Sequence, residues 1–276
     1  MKQHNFNGQD FRIRYPAVMG ILNVTPDSFS DGGRHLEVAK AVDRVWQMLE
    51  EGAQFIDVGG ESTRPGSDSV SVDEELRRIM PVIEALPSDE CVISIDTTKP
   101  DVARAALEAG AHVVNDVSSG SDTTLFDLAE RHQAGYVLMH AQGLPKTMQN
   151  APAYDDVTGE VLAFFKGQAK RLADKKLPKV WMDPGIGFGK ALDHNLALIQ
   201  NLDALCDDRW GILIGASRKS WIDHLCGAPN PKDRLGGSLA AAIESARKGA
   251  EVIRVHNVRE TVQALEVINT LNGPFS

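Results

Sequence analysis

The chain is poor in cysteine: Cys91, Cys206 and Cys226 are its three thiols, odd in number and far apart. That pattern excludes a disulfide framework and a C-x-x-C metal or redox site, and it suits a reducing cytoplasm. Long apolar runs are also missing. No uninterrupted run of about 18 apolar residues occurs, and Met1 to Gly20 holds no apolar core leading to a small-residue cleavage site, so neither membrane insertion nor secretion is expected. There is no basic excess: 29 Lys and Arg against 38 Asp and Glu give a formal charge of -9, which repels nucleic-acid backbones. An anion site must therefore be a local cluster of cations. Paired-histidine spacing such as H-E-x-x-H is lacking, which argues against a transition-metal site. No Gly, Pro or Ser block marks a linker, so residues 1–276 are expected to form one domain, with its core at about 17–272.

What is present is ample material for a core, 42% hydrophobic residues with 24% charged, in an alternating pattern. Eight short apolar or β-branched runs read as strands: Val18 to Leu22, Gln54 to Val58, Val92 to Ile95, Val113 to Val114, Tyr136 to Met139, Val180 to Met182, Ile212 to Ile214 and Val252 to Val255. Helical spacing fills the intervals, over Leu36 to Glu51, Asp73 to Leu86, Asp101 to Ala109, Thr124 to His132, Val157 to Asp174, Leu192 to Leu205, Leu235 to Lys248 and Arg259 to Leu271. Gly52, Gly110 and Gly249 sit where a helix would end and lead into the next strand. Strands that are almost wholly apolar suit a parallel sheet buried on both faces. Eight successive βα units favour closure into an α/β fold of the (β/α)8 TIM-barrel type, with an open doubly wound sheet as the alternative.

In a parallel barrel the strand ends converge on one mouth, and chemistry is expected there. Each expected strand runs into polar residues: Asn23 to Gly33, Glu61 to Gly66, Asp96-Thr97-Thr98, Asn115-Asp116, His140, Asp183 to Lys190, Ser217-Arg218-Lys219-Ser220 and Arg254-Val255-His256-Asn257. Turn and helix-cap preferences account for about half of these, but poorly for Asp96, Asp183 and Arg254, which stand inside apolar strands. The alternation Arg254-Val255-His256 puts two basic side chains on one strand face. Closure of the barrel would bring Asn23 beside them, forming an anion pocket in which Asn23 can ligate a Mg2+ that bridges a diphosphate. Asp96 and Asp183 call for donor-rich partners, either internal cations or a flat heterocycle such as a pterin, with Asn115 able to give and accept along its edge.

The Gly-rich run Asp183 to Lys190 is neither a dinucleotide fingerprint nor a P-loop, because Lys190 stands where the last glycine would be and neither Ser nor Thr follows it. Its glycines suit a tight loop whose backbone approaches a ligand, with Phe188 available to cover a flat ring.

These motifs resemble the dihydropteroate synthase family. The match runs from Gly20-Ile21-Leu22-Asn23-Val24-Thr25-Pro26-Asp27-Ser28-Phe29-Ser30-Asp31-Gly32-Gly33 through Asp57-Val58-Gly59-Gly60-Glu61-Ser62-Thr63-Arg64-Pro65-Gly66, Ile95-Asp96-Thr97, Asn115-Asp116-Val117, Leu138-Met139-His140, Asp183 to Lys190 and Ser217 to Ser220, to Arg254-Val255-His256. The resemblance implies a pterin-binding barrel that joins 6-hydroxymethyl-7,8-dihydropterin diphosphate to p-aminobenzoate in folate biosynthesis, with Mg2+ as cofactor and Asn23 as its ligand. It implies that Asp96, Asn115, Asp183 and Lys219 hold the pterin while Met139, Gly187 and Phe188 line its slot. Asn23, Arg64, Arg254 and His256 would hold the diphosphate, with Arg64, Lys219, Arg254 and His256 acting in catalysis. Phe29, Thr63, Pro65 and Ser217 would shape the p-aminobenzoate pocket, where sulfonamides would compete. A cytoplasmic homodimer without nucleic-acid or membrane partners is the expected setting. A non-catalytic pterin-binding barrel is the alternative, which departures at Asn23, Arg64, Lys219, Arg254 or His256 would favour, and all five match the pattern.

Overall fold

The fold was determined as a computed structural model, which describes residues 1–25, 34–61, 69–143, 148–273 and 275. Eight parallel strands close into a barrel: β3 (Ala17–Asn23), β4 (Phe55–Gly59), β5 (Val92–Asp96), β6 (Val113–Asp116), β7 (Gly135–Met139), β8 (Val180–Asp183), β9 (Gly211–Ile214) and β10 (Ala250–Val255). β10 pairs with β3, Arg254 opposite Met19 and Val255 opposite Gly20, which closes the ring and rules out the open sheet. Each of the eight expected strands is present, its ends displaced by one or two residues at most.

Helices α1 (Arg34–Glu50), α2 (Val72–Ile83), α3 (Pro100–Glu108), α4 (Thr124–Arg131), α5 (Val157–Leu172), α6 (Leu192–Gln200), α7 (Ser220–Cys226), α8 (Leu235–Arg247) and α9 (Val258–Asn272) cover the outside. α2 starts where the Ser71 side chain accepts the Glu74 N–H at 3.2 Å, and α5 where Asp156 accepts Gly159 N–H at 3.1 Å. The helix expected over Leu192 to Leu205 is two elements instead: α6 ends at Gln200 with Asn201 as its C-cap, and Leu202–Leu205 is a tighter 3-10 turn. Gly52, Gly110 and Gly249 all have positive φ at the turns from helix to strand, as their placement suggested. No helix among the described residues is long and apolar enough to cross a membrane.

Two elements go beyond the sequence reading. α7 is too short to show a period. The other is an N-terminal hairpin, β1 (Lys2–Phe6) with β2 (Gln9–Ile13), turning on Asn7 and Gly8 at φ of 50° and 82°. Asn-Gly is the residue pair that tolerates two consecutive positive φ values, so the signal was in the sequence. Phe6, Phe11 and Ile13 of the hairpin pack with Ala17, Met19, Phe55, Val92, Val113, Val137, Trp181, Leu213 and Val252, one or two residues from each barrel strand. The intervening strand residues, among them Val18, Ile56, Ile93, Val114, Met182, Ile212 and Ile253, face the helices in a separate cluster. The two-residue period of a strand therefore divides the core in two. It also fixes which residues above the apolar layer point into the lumen: Asp57 beyond Phe55, Asp96 beyond Val92, Asn115 beyond Val113, Met139 beyond Val137, Asp183 beyond Trp181 and Arg254 beyond Val252.

Candidate active site

Above the apolar plug the lumen turns polar, and its centre is Arg254. Its Nε donates to Asp57 Oδ2 at 2.6 Å and its Nη2 to Asp96 Oδ2 at 2.9 Å. Asn115, on the strand next to Asp96, donates its Nδ2 to the same Asp57 Oδ2 at 3.0 Å. Asp57 is wholly buried and Asp96 almost so. Burial pushes the Asp96 carboxyl above the usual carboxylate range, Arg254 works against that shift, and the charge of Asp57 adds to it. Burial likewise works against the guanidinium charge, but Asp57 and Asp96 outweigh it and hold Arg254 above its ordinary value. Oδ1 of each carboxylate is buried with no hydrogen-bond partner among the described residues, so the cluster has acceptor capacity to spare for a donor-bearing ligand.

Asp183 reaches the lumen from β8 and accepts the Gly185 N–H at 2.7 Å. Burial raises its carboxyl, opposed by that hydrogen bond and by the charges of Lys219, Arg254 and Lys190. The following loop is bent back on itself: Gly185 and Gly189 have φ of 68° and 62°, and a Cβ on either would stand 1.9 Å from His140 O or 2.2 Å from Gln142 O. Only glycine meets both demands. Asn195 Oδ1 accepts from Gly187 N–H at 2.7 Å, and Tyr154 donates to Gly189 O at 3.0 Å. The buried Lys190 Nζ ties the loop to β7, donating to Phe188 O and to His140 Nδ1, each at 3.0 Å. Burial draws Lys190 down to about 7, against the attraction of Asp183, and lowers His140 to about 3 with help from the Lys190 charge. Held this way, Phe188 packs with Met139 and Met148, and the Lys219 ammonium lies 4.0 Å from the Phe188 ring centroid. The side chain of Lys219 also runs past Gly187.

Ser217 and His256 meet at the rim. The His256 N–H donates to Ser217 Oγ at 3.3 Å, and that hydroxyl lies 3.0 Å from His256 Nδ1. The loop after β9 that carries Ser217 and Lys219 is braced by the buried Arg234, which donates to Ala228 O, Arg218 O and Pro229 O. Arg218, at φ 58°, grips Asn257 Oδ1 through Nε and Nη2 at 3.1 and 2.6 Å.

Asp96, Asn115, Asp183, Lys219, Phe188, Gly187, Met139 and Arg254 are thus brought together. Arg254 pairs with two carboxylates, Asp57 and Asp96, and His256, two residues further along the chain, meets Ser217. Asn23 ends β3, half-buried, on the same strand parity as Met19. Phe29, Thr63, Arg64 and Pro65 lie outside the described residues. Asp57 and Lys190 were in the quoted motifs but given no role, although the parity of Asp57 with Phe55 would have placed it in the lumen. Another unforeseen group is Lys99, which donates to Glu61 and, at 2.6 Å, to the buried Glu75, tying the end of the β4 segment to α2. Among the described residues no cluster of three or more His, Cys, Asp or Glu could hold a metal ion.

The family model described as a pterin binding enzyme matches residues 19–256. The dihydropteroate synthase of Escherichia coli (strain K12) is 48% identical over 264 residues, covering 95% of this chain and 93% of that one. Among solved structures, the Yersinia pestis dihydropteroate synthase with a sulfonamide drug superposes with a TM-score of 0.89 at 42% identity, covering 98% of this chain and 99% of that one. The Xanthomonas albilineans dihydropteroate synthase in complex with 7,8-dihydropteroate gives a TM-score of 0.87 at 39% identity, with 98% of each chain covered. Extent, identity and shared barrel agree, and the chain belongs to the pterin-binding enzyme family, among its dihydropteroate synthases.

Proposed function

We propose that this chain is a transferase that condenses 6-hydroxymethyl-7,8-dihydropterin diphosphate with p-aminobenzoate, releasing pyrophosphate and 7,8-dihydropteroate for folate biosynthesis. The observation that carries this reading is the set of buried acceptors Asp96, Asn115 and Asp183 with the half-buried cations Lys219 and Arg254 at one barrel mouth, in a chain 48% identical to a dihydropteroate synthase. On this reading Asp96, Asn115, Asp183 and Lys219 hold the pterin, between Met139, Gly187 and Phe188. Asn23, Arg64, Arg254 and His256 take the diphosphate, and Phe29, Thr63, Pro65 and Ser217 shape the arylamine pocket, where sulfonamides compete. Residues 1–276 act as one domain. The enzyme works in the cytoplasm as a homodimer, the first supported by its few dispersed cysteines and the second by family resemblance.

Breaking the methylene C–O bond sends its electron pair to the diphosphate oxygen and leaves positive charge on the pterin methylene. The lumen carboxylates of Asp57 and Asp96 favour that charge, while Arg254 and His256 donate toward the departing oxygens. The arylamine nitrogen then forms the new C–N bond and gives up a proton. The single carboxamide oxygen of Asn23 fits Mg2+, which keeps most of its shell for water and phosphate oxygens and needs only one or two protein ligands. Bound there, the ion would neutralise the leaving diphosphate.

The test is purified protein with both substrates and Mg2+, following pyrophosphate release and dihydropteroate formation, with Lys219→Ala as control. Arylamine-dependent turnover that this substitution abolishes is expected. Pterin binding without turnover would favour a non-catalytic barrel.

A further inference from the structure

In the chemistry above Asp57 contributes only its charge, yet it is wholly buried at the centre of the site and accepts two hydrogen bonds there, from Arg254 Nε and Asn115 Nδ2. Each of these bonds removes an ambiguity. A carboxamide is nearly symmetric in shape and opposite in polarity at its two ends, so Asn115 could face a ligand with either its oxygen or its amino group. A carboxylate only accepts, and therefore captures the amino end. Nε and Nη2 of arginine are the parallel donors that usually grip both oxygens of one carboxylate. Here they are divided, Nε to Asp57 and Nη2 to Asp96 Oδ2, and Asp96 Oδ1 makes no hydrogen bond among the described residues.

We propose that Asp57 is a positioning residue that sets the hydrogen-bonding polarity of the pterin slot. It turns the Asn115 oxygen toward the heterocycle, and it keeps Arg254 from closing both donors on Asp96, so that Asp96 Oδ1 serves ligand N–H groups. The slot is then lined by acceptors and selects a donor-edged heterocycle. This rests on the pterin reading of the site and goes beyond it in assigning the origin of the selectivity to a residue that need not touch the ligand.

The experiment compares binding of two probes, 6-hydroxymethylpterin and its 2-oxo counterpart, 6-hydroxymethyllumazine, in which an acceptor replaces the 2-amino donor. Wild type and Asp57→Asn are titrated calorimetrically, and turnover is measured alongside. In Asp57→Asn the amide at 115 can reverse and Arg254 can close on Asp96. Pterin affinity should fall about tenfold and the preference for pterin over lumazine should narrow by about as much, the scale of one hydrogen bond to a charged group. The KM for p-aminobenzoate should stay within about twofold. Equal weakening of both probes marks loosened packing only and overturns the proposal, as does unchanged pterin affinity. If Asp57→Asn does not fold, the charge-conserving swap Asp57→Asn with Asn115→Asp is titrated in its place. A carboxylate at 115 still only accepts, so the preference should persist, and its loss overturns the proposal. Failure of wild type to bind 6-hydroxymethylpterin would instead overturn the function assigned to the site.

Discussion

His112 is buried with both ring nitrogens engaged: Nδ1 accepts the Ile93 N–H at 3.0 Å, so Nε2 carries the hydrogen toward Gln9 Oε1 at 2.9 Å. Burial draws it down to about 4, so it stays neutral in the fold where the unfolded chain, at about 6.5, takes up a proton. The unfolded state therefore binds more protons between those values, and stability falls as pH drops from about 6.5 toward 4. The unfolding free energy from urea titrations should drop across that window by about 2 to 3 kcal/mol in wild type and by less in His112→Gln; equal slopes would show that other groups carry the acid sensitivity. Asn23→Ala should raise the Mg2+ concentration for half-maximal turnover about tenfold or more, on the scale of losing an inner-sphere or supporting metal contact. An unchanged Mg2+ titration would remove Asn23 as the ligand. At this scale Asp96, Asp183 and Arg254 were legible because a charge inside an apolar strand has few structural explanations. That Arg254 pairs with Asp57 and Asp96 was not, since the choice between an internal carboxylate and a ligand depends on distances across the lumen that strand periodicity does not contain.

Among the elements, the loop between β8 and α6 is the one whose shape the site most requires. Lys190, Asn195 and Tyr154 hold it from within, and Gly185 and Gly189 let it lie against the end of β7. Gly189→Ala adds a methyl group 2.2 Å from Gln142 O at a φ of 62°, so the loop must shift and carry Phe188 with it. The KM for the pterin diphosphate should rise about tenfold to a hundredfold, the upper figure being the scale of a misplacement near 1 Å, while far-ultraviolet circular dichroism stays that of the wild type. A kinetically silent Gly189→Ala would mean that the position of Phe188 does not matter to pterin binding. The glycines and Phe188 were readable as a ligand-approaching loop. Lys190 was not, because a lysine after a glycine run reads as a surface or phosphate-facing charge until burial shows it tied to His140 and Phe188 O. The strands and long helices were legible from periodicity, whereas α7 has seven residues and too few turns to show one.

Across the whole molecule the strand period separates two tasks along one axis. The lower lumen is apolar and closed by the hairpin, with Phe6 packed at ring-centroid distances of 6.3 Å from Phe11 and 6.0 Å from Trp181. The upper lumen holds the charges. Asp57, Asp96, Asp183 and Arg254 stand on the same strands as Phe55, Val92, Trp181 and Val252, so the apolar layer serves as the rigid base on which the charged side chains are set. Phe6→Ala tests how independent the two layers are. Removing a wholly buried ring from a packed layer costs about 3 to 5 kcal/mol, which for a chain of this size lowers the melting temperature by about 10 °C. Because Phe6 lies at the end of the barrel away from Asp96, Asp183 and Arg254, kcat and both KM values measured well below the new melting temperature should stay within about twofold, less than 0.5 kcal/mol in the barrier. A variant that melts early yet turns over normally would place stability at the hairpin end and chemistry at the other. If kcat falls in proportion to stability instead, the apolar plug and the charged ring move as one body, and the hairpin must count as part of what holds Asp96, Asp57 and Arg254 in register.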